Sequence, residues 1–234
     1  MLEEYRLPDK YKKMITNIQL YRNFVTSQEE GFVQLMELIA QKIYIMQQEG
    51  KISDSLEYRA RIKDAISALE NHNQDKILDD IFGIEFISNS EQEVDKIRHM
   101  INANFKVVKK PKDFKKPNGY QAKHRVYTPI GELAKEKTIP VFECQYKTFE
   151  TVENPFADHA DYKGVNKEKV KEELKYNTKV FGLTLPYMWL YEEGTMRRLT
   201  YKETIQRIYP FVDVSEIREP ENENNEEKGI IAHD

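Results

Sequence analysis

Two acidic residues stand at strand-like positions where carboxylates are unusual. Asp80 enters the apolar run at residues 81–87, and Glu143 lies within a second apolar run at residues 141–146. A carboxylate among apolar strand residues is costly unless it is paired or binds a metal. Mg²⁺ needs only one or two protein carboxylates together with phosphate oxygens and water, so these two residues would suffice. Spacing alone favours the plainer alternative, in which each carboxylate points to the solvent face of its strand.

Three candidate phosphate ligands fall on a helix that we predict over residues 55–71. Lys63 and Ser67 are four residues apart and share one face of such a helix, and Arg61 flanks that face. The group could bind a triphosphate while the guanidinium plane covers a base. The alternative is an ordinary charged helix surface, which is the better interpretation of an isolated RxK pattern.

A lysine-rich loop leads to an aromatic residue and a histidine. Six lysines fall within eleven residues: Lys106, Lys109, Lys110, Lys112, Lys115 and Lys116. The Asn118-Gly119 turn then places Tyr120 on the next strand, with His124 four residues later on the same strand face. Such a loop could attract a polyphosphate or an RNA backbone, and Tyr120 could stack on a base. The alternative is a solvated hairpin loop.

The composition excludes several other kinds of site. The 234 residues carry a net charge of −4, which argues for a local anion site and against a general nucleic-acid-binding protein. Cys144 is the only cysteine, so an intramolecular disulfide and a cysteine-based zinc site are excluded. The sequence has no GxxxxGK[ST], GxGxxG, HExxH or GxSxG motif. Because it also lacks a leader-like segment and a membrane-spanning apolar run, we expect a cytoplasmic protein that does not bind membranes.

Hydrophobic periodicity predicts a mixed α/β core between helical ends. Residues 10–25 and 28–48 show helical spacing; Ser27 and Glu30 form a plausible capping box for the second helix, and Gly50 ends it. Strands are predicted at residues 81–87, 123–128 and 138–146. Further helices are predicted at residues 91–104, 166–176 and from 185 to about 209.

Residues 55–165 resemble the synthetase domain of the RelA/SpoT family, matching five segments in order. Arg61, Lys63 and Ser67 are similar to its RxKxxxS motif for the donor nucleotide. Residues 80–84 are similar to its D-(I/L)-x-G-(I/L)-R strand, and residues 116–124 to its acceptor loop. Residues 143–148 and 159–163 are similar to its ExQ(I/V)RT strand and AHWxYK segment.

The resemblance implies a fold of the α/β (α+β) class. We expect a mixed β-sheet, nucleotidyltransferase-like synthetase domain flanked by N- and C-terminal helices. The expected divisions are a helical extension (1–50), the nucleotidyltransferase core (51–165), C-terminal helices (166–215) and an acidic, disordered tail (216–234). No hydrolase-like HD motif precedes the core and no regulatory region is recognised, so we expect a small, stand-alone, synthesis-only member.

The resemblance also implies an activity, transfer of the β,γ-pyrophosphate of ATP to the ribose 3′-hydroxyl of GDP or GTP. The product would be the alarmone (p)ppGpp, with release of AMP. The implied catalytic residues are Asp80 and Glu143, which would also hold Mg²⁺. The implied ATP-binding residues are Arg61, Lys63 and Ser67. The implied acceptor-binding residues are Lys116, Asn118, Tyr120, His124 and Lys147.

Two departures from the family pattern fall in the donor half. Glu85 replaces the arginine of the family's strand, and Asn71 stands where a basic residue is expected. Arg59 and Arg98 are candidates to replace those cations. Other interpretations therefore stay open: a toxin-type synthetase that pyrophosphorylates the 3′ end of tRNA, and a catalytically silent nucleotide-binding regulatory module. Homo-oligomers and an antitoxin partner are further expectations by analogy.

Overall fold

A computed structural model of the chain describes residues 15–70, 80–115, 121–135, 139–151, 167–176 and 185–217. The helices are α1 (Ile15–Gln48), α2 (Ala65–Glu70), α3 (Glu91–Asn102), α4 (Lys167–Tyr176) and α5 (Tyr201–Ile208). The strands are β1 (Glu57–Ile62), β2 (Phe82–Ser88), β3 (Phe105–Val107), β4 (Lys112–Lys115), β5 (Gln121–Pro129), β6 (Phe142–Thr148), β7 (Tyr187–Glu192) and β8 (Thr195–Arg198). The α+β class is therefore confirmed, with helices flanking the sheet.

The first two predicted helices form one continuous helix, α1. The predicted capping box is wrong, because Ser27 lies inside α1 and its hydroxyl donates a 2.7 Å hydrogen bond to the carbonyl of Phe24. Buried residues continue on one side of α1 across this point, including Val25 and Phe32, and favour a single helix. The helix ends as predicted at Gly50, which has a φ of +65°. No helix in the described ranges is long and apolar enough to cross a membrane.

The described strands form one mixed sheet with the order β3-β5-β6-β2-β1-β7-β8, and β4 also pairs with β5. β2 and β6 are parallel, and the other pairs are antiparallel. The predicted strands at residues 81–87, 123–128 and 138–146 are confirmed as β2, β5 and β6, although β6 begins only at Phe142.

The two faces of the central strands differ sharply. Alternate residues of β1, β2 and β6 are buried and apolar, such as Ala60, Phe86 and Tyr146, and they form one core with residues of α1 and α3. The intervening residues form the opposite face, which we call the polar face. It carries Arg59, Arg61, Glu85, Glu143, Gln145 and Lys147. Because strand side chains alternate with a period of two, burying one face presents this whole polar set on the other.

Two helix predictions are wrong. Residues 57–62, expected within a helix, form β1, which pairs with β2 on one side and β7 on the other. Residues 187–198, expected as the start of a C-terminal helix, form a β-hairpin, so the C-terminal region is not purely helical. Its turn residues Glu193 and Gly194 have φ values of +46° and +95°, as a two-residue hairpin of this twist requires. The lysine-rich loop also contains two short strands, β3 and β4.

Candidate active site

One of the two predicted metal-binding carboxylates lies on β6, and the other comes just before β2, the neighbouring parallel strand. Asp80 lies two residues before β2, and Glu143 is the second residue of β6. The register aligns Gly83 with Glu143, so Asp80 lies three residues upstream of that level, roughly 10 Å along the strand direction. The parallel pairing of β2 with β6 therefore places two residues that are distant in the sequence near the start of neighbouring strands.

Glu143 is held at both carboxylate oxygens. Its Oε1 is hydrogen-bonded to Nδ1 of His124 at 2.9 Å, and its Oε2 accepts a hydrogen bond from the Gln145 amide at 2.8 Å. Burial raises the pKa of Glu143, but the hydrogen bond and charge of His124, the Gln145 bond and Arg61 together bring this pKa below its ordinary value. Glu143 is therefore an oriented carboxylate that stays ionised at neutral pH.

Arg61 is a residue of β1, and its side chain lies over β2, the strand between β1 and the strand of Glu143. It is paired in register with Gly83, and a Cβ atom at Gly83 would lie 3.4 Å from both Cγ and Nε of Arg61. The missing side chain at Gly83 thus leaves the space in which the arginine side chain lies over β2. From there its charge contributes to lowering the pKa of Glu143. Within the described residues, Arg61 has no hydrogen-bonded or ion-paired partner, and such a cation suits an anionic ligand.

Lys63 and Ser67 approach the same edge from different elements. Lys63 follows β1, its N–H donates to the Ile81 carbonyl at 2.8 Å, and its ammonium bonds Oδ2 of Asp80 at 2.5 Å. Ser67 lies in α2, and its backbone N–H donates to the Asp64 carboxylate at 2.7 Å. The prediction of a single helix carrying Arg61, Lys63 and Ser67 is therefore wrong. Strand, connection and helix instead place them around the end of β1.

Glu85 forms an ion cluster in the middle of the polar face. Its carboxylate bridges the guanidinium of Arg59 and the ammonium of Lys147. Burial raises the pKa of Glu85, but Lys147, Arg59 and Arg61 outweigh it and lower the pKa to about 2. Glu85 stands where the resemblance predicts an arginine, and Arg59 and Lys147 neutralise its negative charge.

The cluster bears on three of the predicted ligands. Lys147 was predicted to bind the acceptor, and in the structure its ammonium pairs with Glu85 on the β2 side of β6. Arg59, a candidate replacement for a missing donor cation, pairs with the same carboxylate and is 4% exposed. Arg98, the other candidate, lies on α3 and pairs with Asp95 at 3.0 Å. Because α3 packs on the apolar face, Arg98 is on the opposite side of the sheet from the carboxylates.

Sequence reasoning missed two features of the site. The sequence singled out Gln145 only as part of the segment similar to ExQ(I/V)RT, although its amide binds one oxygen of Glu143. Its position two residues after Glu143 on a strand was an available signal, since such residues share a face. The pairing of Glu85 with Arg59 and Lys147 had no local signal, because it depends on the order of three strands.

The carboxylate oxygens of Glu143 suit a magnesium ion. Among the described residues no group of three or more histidine, cysteine or acidic side chains could hold a metal. Mg²⁺ does not require such a cage, because it is commonly held by one or two carboxylates while phosphates and water complete its octahedron. Each Glu143 oxygen accepts one hydrogen bond from its neighbours and keeps further lone-pair capacity.

Several predicted residues lie outside the described ranges. These are the acceptor-loop residues Lys116, Asn118 and Tyr120, the segment at residues 159–163, and Asn71. Their roles stay predictions. His124, the other acceptor-loop residue, is described and lies beside Glu143, where its ring also makes an edge contact with Phe114 at 4.6 Å between centroids.

Comparison with known proteins gives similarity at the level of structure. No family model and no curated protein matches the sequence. The structure is similar to small alarmone synthetase 1 from Bacillus subtilis bound to its product pppGpp (18% identity, 66% of this chain and 87% of that chain, TM-score 0.48). It is also similar to a GTP pyrophosphokinase family protein from Streptococcus pneumoniae (15% identity, 65% and 83% coverage, TM-score 0.43). Small alarmone synthetase 2 from Bacillus subtilis shows 17% identity, 66% and 82% coverage, and a TM-score of 0.41.

Proposed function

We propose that this protein is a Mg²⁺-dependent pyrophosphokinase that transfers the β,γ-pyrophosphate of ATP to the ribose 3′-hydroxyl of GDP or GTP. The observation that carries the proposal is the grouping at one edge of the polar face. There an oriented, ionised Glu143 stands beside Arg61 and on the strand adjacent to the Lys63–Asp80 pair. Phosphoryl-type transfer depends mainly on alignment and charge neutralisation, and this group supplies both.

The proposed reaction exchanges one phosphorus–oxygen bond for another. The acceptor's 3′-oxygen bonds to the β-phosphorus of ATP, and the bond from that phosphorus to the oxygen bridging the α-phosphate breaks. AMP leaves with the bridging oxygen, and the proton of the 3′-hydroxyl is released to solvent. Arg61 and Lys63 are placed to bind the anionic pyrophosphate as charge shifts toward the leaving group.

Asp80 and Glu143 are the residues that would hold Mg²⁺. When bound, the ion would neutralise phosphate charge and orient the transferred group. The lowered pKa of Glu143 favours this metal-binding role over the role of general base, because a carboxylate with a pKa below its ordinary value is a weaker proton acceptor. His124 and Gln145 orient the carboxylate in either role.

The acceptor would approach from the β5 side of Glu143. His124 is on β5 and contacts Glu143, and β5 begins directly after the predicted acceptor loop. Donor residues Arg61 and Lys63 come from the β1 side. The two nucleotides would therefore meet at Glu143 from opposite sides, which is the arrangement that a transfer between them requires.

A second candidate acceptor is the 3′ end of tRNA. Lys106, Lys109, Lys110, Lys112 and Lys115 are all exposed, and the pairing of Lys112 with His124 places β4 next to the acceptor side. Exposed lysines of this kind can follow a phosphate backbone. This favours an RNA acceptor more than the net charge of the whole chain would suggest.

Transfer assays separate the candidate functions. The protein is incubated with Mg²⁺ and γ-labelled ATP, and GDP, GTP, ATP or deacylated tRNA is offered in turn. Label on GDP or GTP is expected, and label on tRNA alone would replace the nucleotide acceptor by RNA. If no acceptor is labelled, while the same preparation binds nucleotide, the protein is a silent binding module and the proposed activity is refuted.

A further inference from the structure

A cleft of about 630 Å³ opens on the polar face, at the end of β2 that lies away from Asp80. Its floor is formed by β1, β2 and β7, and α5 forms one wall. The lining includes Arg59, Ile87, Leu190, Arg197, Gln206 and Arg207. The volume lies within the range of small-molecule sites, which are typically about 300–1,000 Å³.

A second, much smaller cleft adjoins this one and reaches Arg61. It measures about 60 Å³ and is lined by Arg59, Arg61, Gly83 and Glu85, among others. Since this is about a tenth of the 630 Å³ of the large cleft, a purine has far more room in the large cleft than here. The Glu85 ion cluster fills the middle of the face and limits the space above β2. Both clefts share Arg59, so they are adjacent along β1.

We propose, resting on the pyrophosphokinase function, that the donor nucleotide extends along β1 and that its amino-purine base lies in the large cleft. The phosphates would lie near Arg61 and Lys63. Glu57, at the cleft, is four residues before Arg61, or about 13 Å along the strand. An extended nucleotide spans a distance of this order between its terminal phosphates and its base.

The chemistry of the cleft suits an amino-purine. The half-buried side chains of Leu190 and Phe149 provide apolar contact area for the ring. Arg207 and Arg197 contribute guanidinium groups that can stack on a base. Glu57 pairs with Arg207 at 3.1 Å and Glu203 with Arg197 at 3.0 Å, so both carboxylates are fixed at the cleft wall. A carboxylate oxygen in one ion pair keeps lone pairs that can accept a hydrogen bond from an exocyclic amine.

The test compares two ligands in two variants. In Gln206→Trp, an indole enters the cleft from an exposed position of α5, and Lys202→Trp places the same group one turn earlier, outside the cleft lining. Calorimetry measures the Kd of a non-hydrolysable ATP analogue and of inorganic triphosphate, both with Mg²⁺. We expect Gln206→Trp to weaken the analogue at least tenfold and to leave triphosphate unchanged, while Lys202→Trp changes neither.

Two results would overturn the assignment. One is wild-type affinity of Gln206→Trp for the ATP analogue, and the other is equal weakening of analogue and triphosphate. A test on the unaltered protein uses a photoreactive azido-purine analogue of ATP. Label on residues 203–210 is expected, and label confined to residues 80–86 would place the base above β2 instead. If transfer fails but the base labels α5, the cleft assignment stands and the proposed activity does not.

Discussion

Replacing Glu85 by glutamine should destabilise the fold strongly, and the effect should depend on pH. The carboxylate joins Arg59 and Lys147, whose side chains are 5% and 10% exposed. Glutamine keeps the shape of the side chain but removes the negative charge that the two largely buried cations share. Removing one partner of a buried ion pair is costly because the remaining charge stays desolvated.

The magnitude follows from the pKa of Glu85. Its value falls from 4.5 to about 2 in the folded protein. A shift of this size corresponds to about 3 kcal/mol of folding free energy at neutral pH. Because the folded pKa is the lower one, this stabilisation is complete above the unfolded pKa of 4.5 and disappears as the pH falls toward 2. At pH 3.5 about 2 kcal/mol should remain. Since Glu85 is 20% exposed, solvent screening makes these values upper estimates.

Urea unfolding at pH 7 and pH 3.5 measures the effect. Trp189, the only tryptophan, is buried in β7 next to β1 and reports unfolding of the sheet by fluorescence. The matched control is Glu132→Gln, which removes a carboxylate that is 87% exposed and pairs with Lys135, and it should leave stability unchanged. A loss below about 1 kcal/mol for Glu85→Gln at pH 7, or a loss that does not shrink at pH 3.5, would refute the reasoning.

Three further predictions concern the proposed activity. Glu143→Gln should lower pyrophosphate transfer at least about a hundredfold without changing the melting temperature by more than a few degrees; near-normal transfer would reject the role of this carboxylate. Gly83→Val should weaken binding of an ATP analogue about tenfold, because even a Cβ lies 3.4 Å from Arg61 and the added methyl groups displace the guanidinium; unchanged affinity would argue against Arg61 as a donor ligand. Lys110→Glu with Lys112→Glu should leave transfer to GDP within about twofold, but should reduce transfer to tRNA and its salt dependence if RNA is the acceptor.

Most of the central strands could be predicted from the sequence, and β1 could not. β2 and β6 are apolar runs with the right length and residue types, so their local signal was sufficient. In β1, residues 57–62 contain Glu, Arg and Ala, which also suit a helix. Only pairing with β2 and β7 on both sides makes these residues a strand, and pairing is a long-range interaction.

The sequence by itself determined the chemical inventory of the site: one carboxylate within an apolar run and one just before another, cations before them, and a lysine-rich segment leading to His124. The tertiary structure decided which of these groups meet. The parallel pairing of β2 with β6 brings Asp80 and Glu143 to one edge, β5 adds His124, and β1 adds Arg61. Strand order and register are set by burial of the apolar face as a whole, so the arrangement of the polar face follows from residues on the opposite side of the sheet.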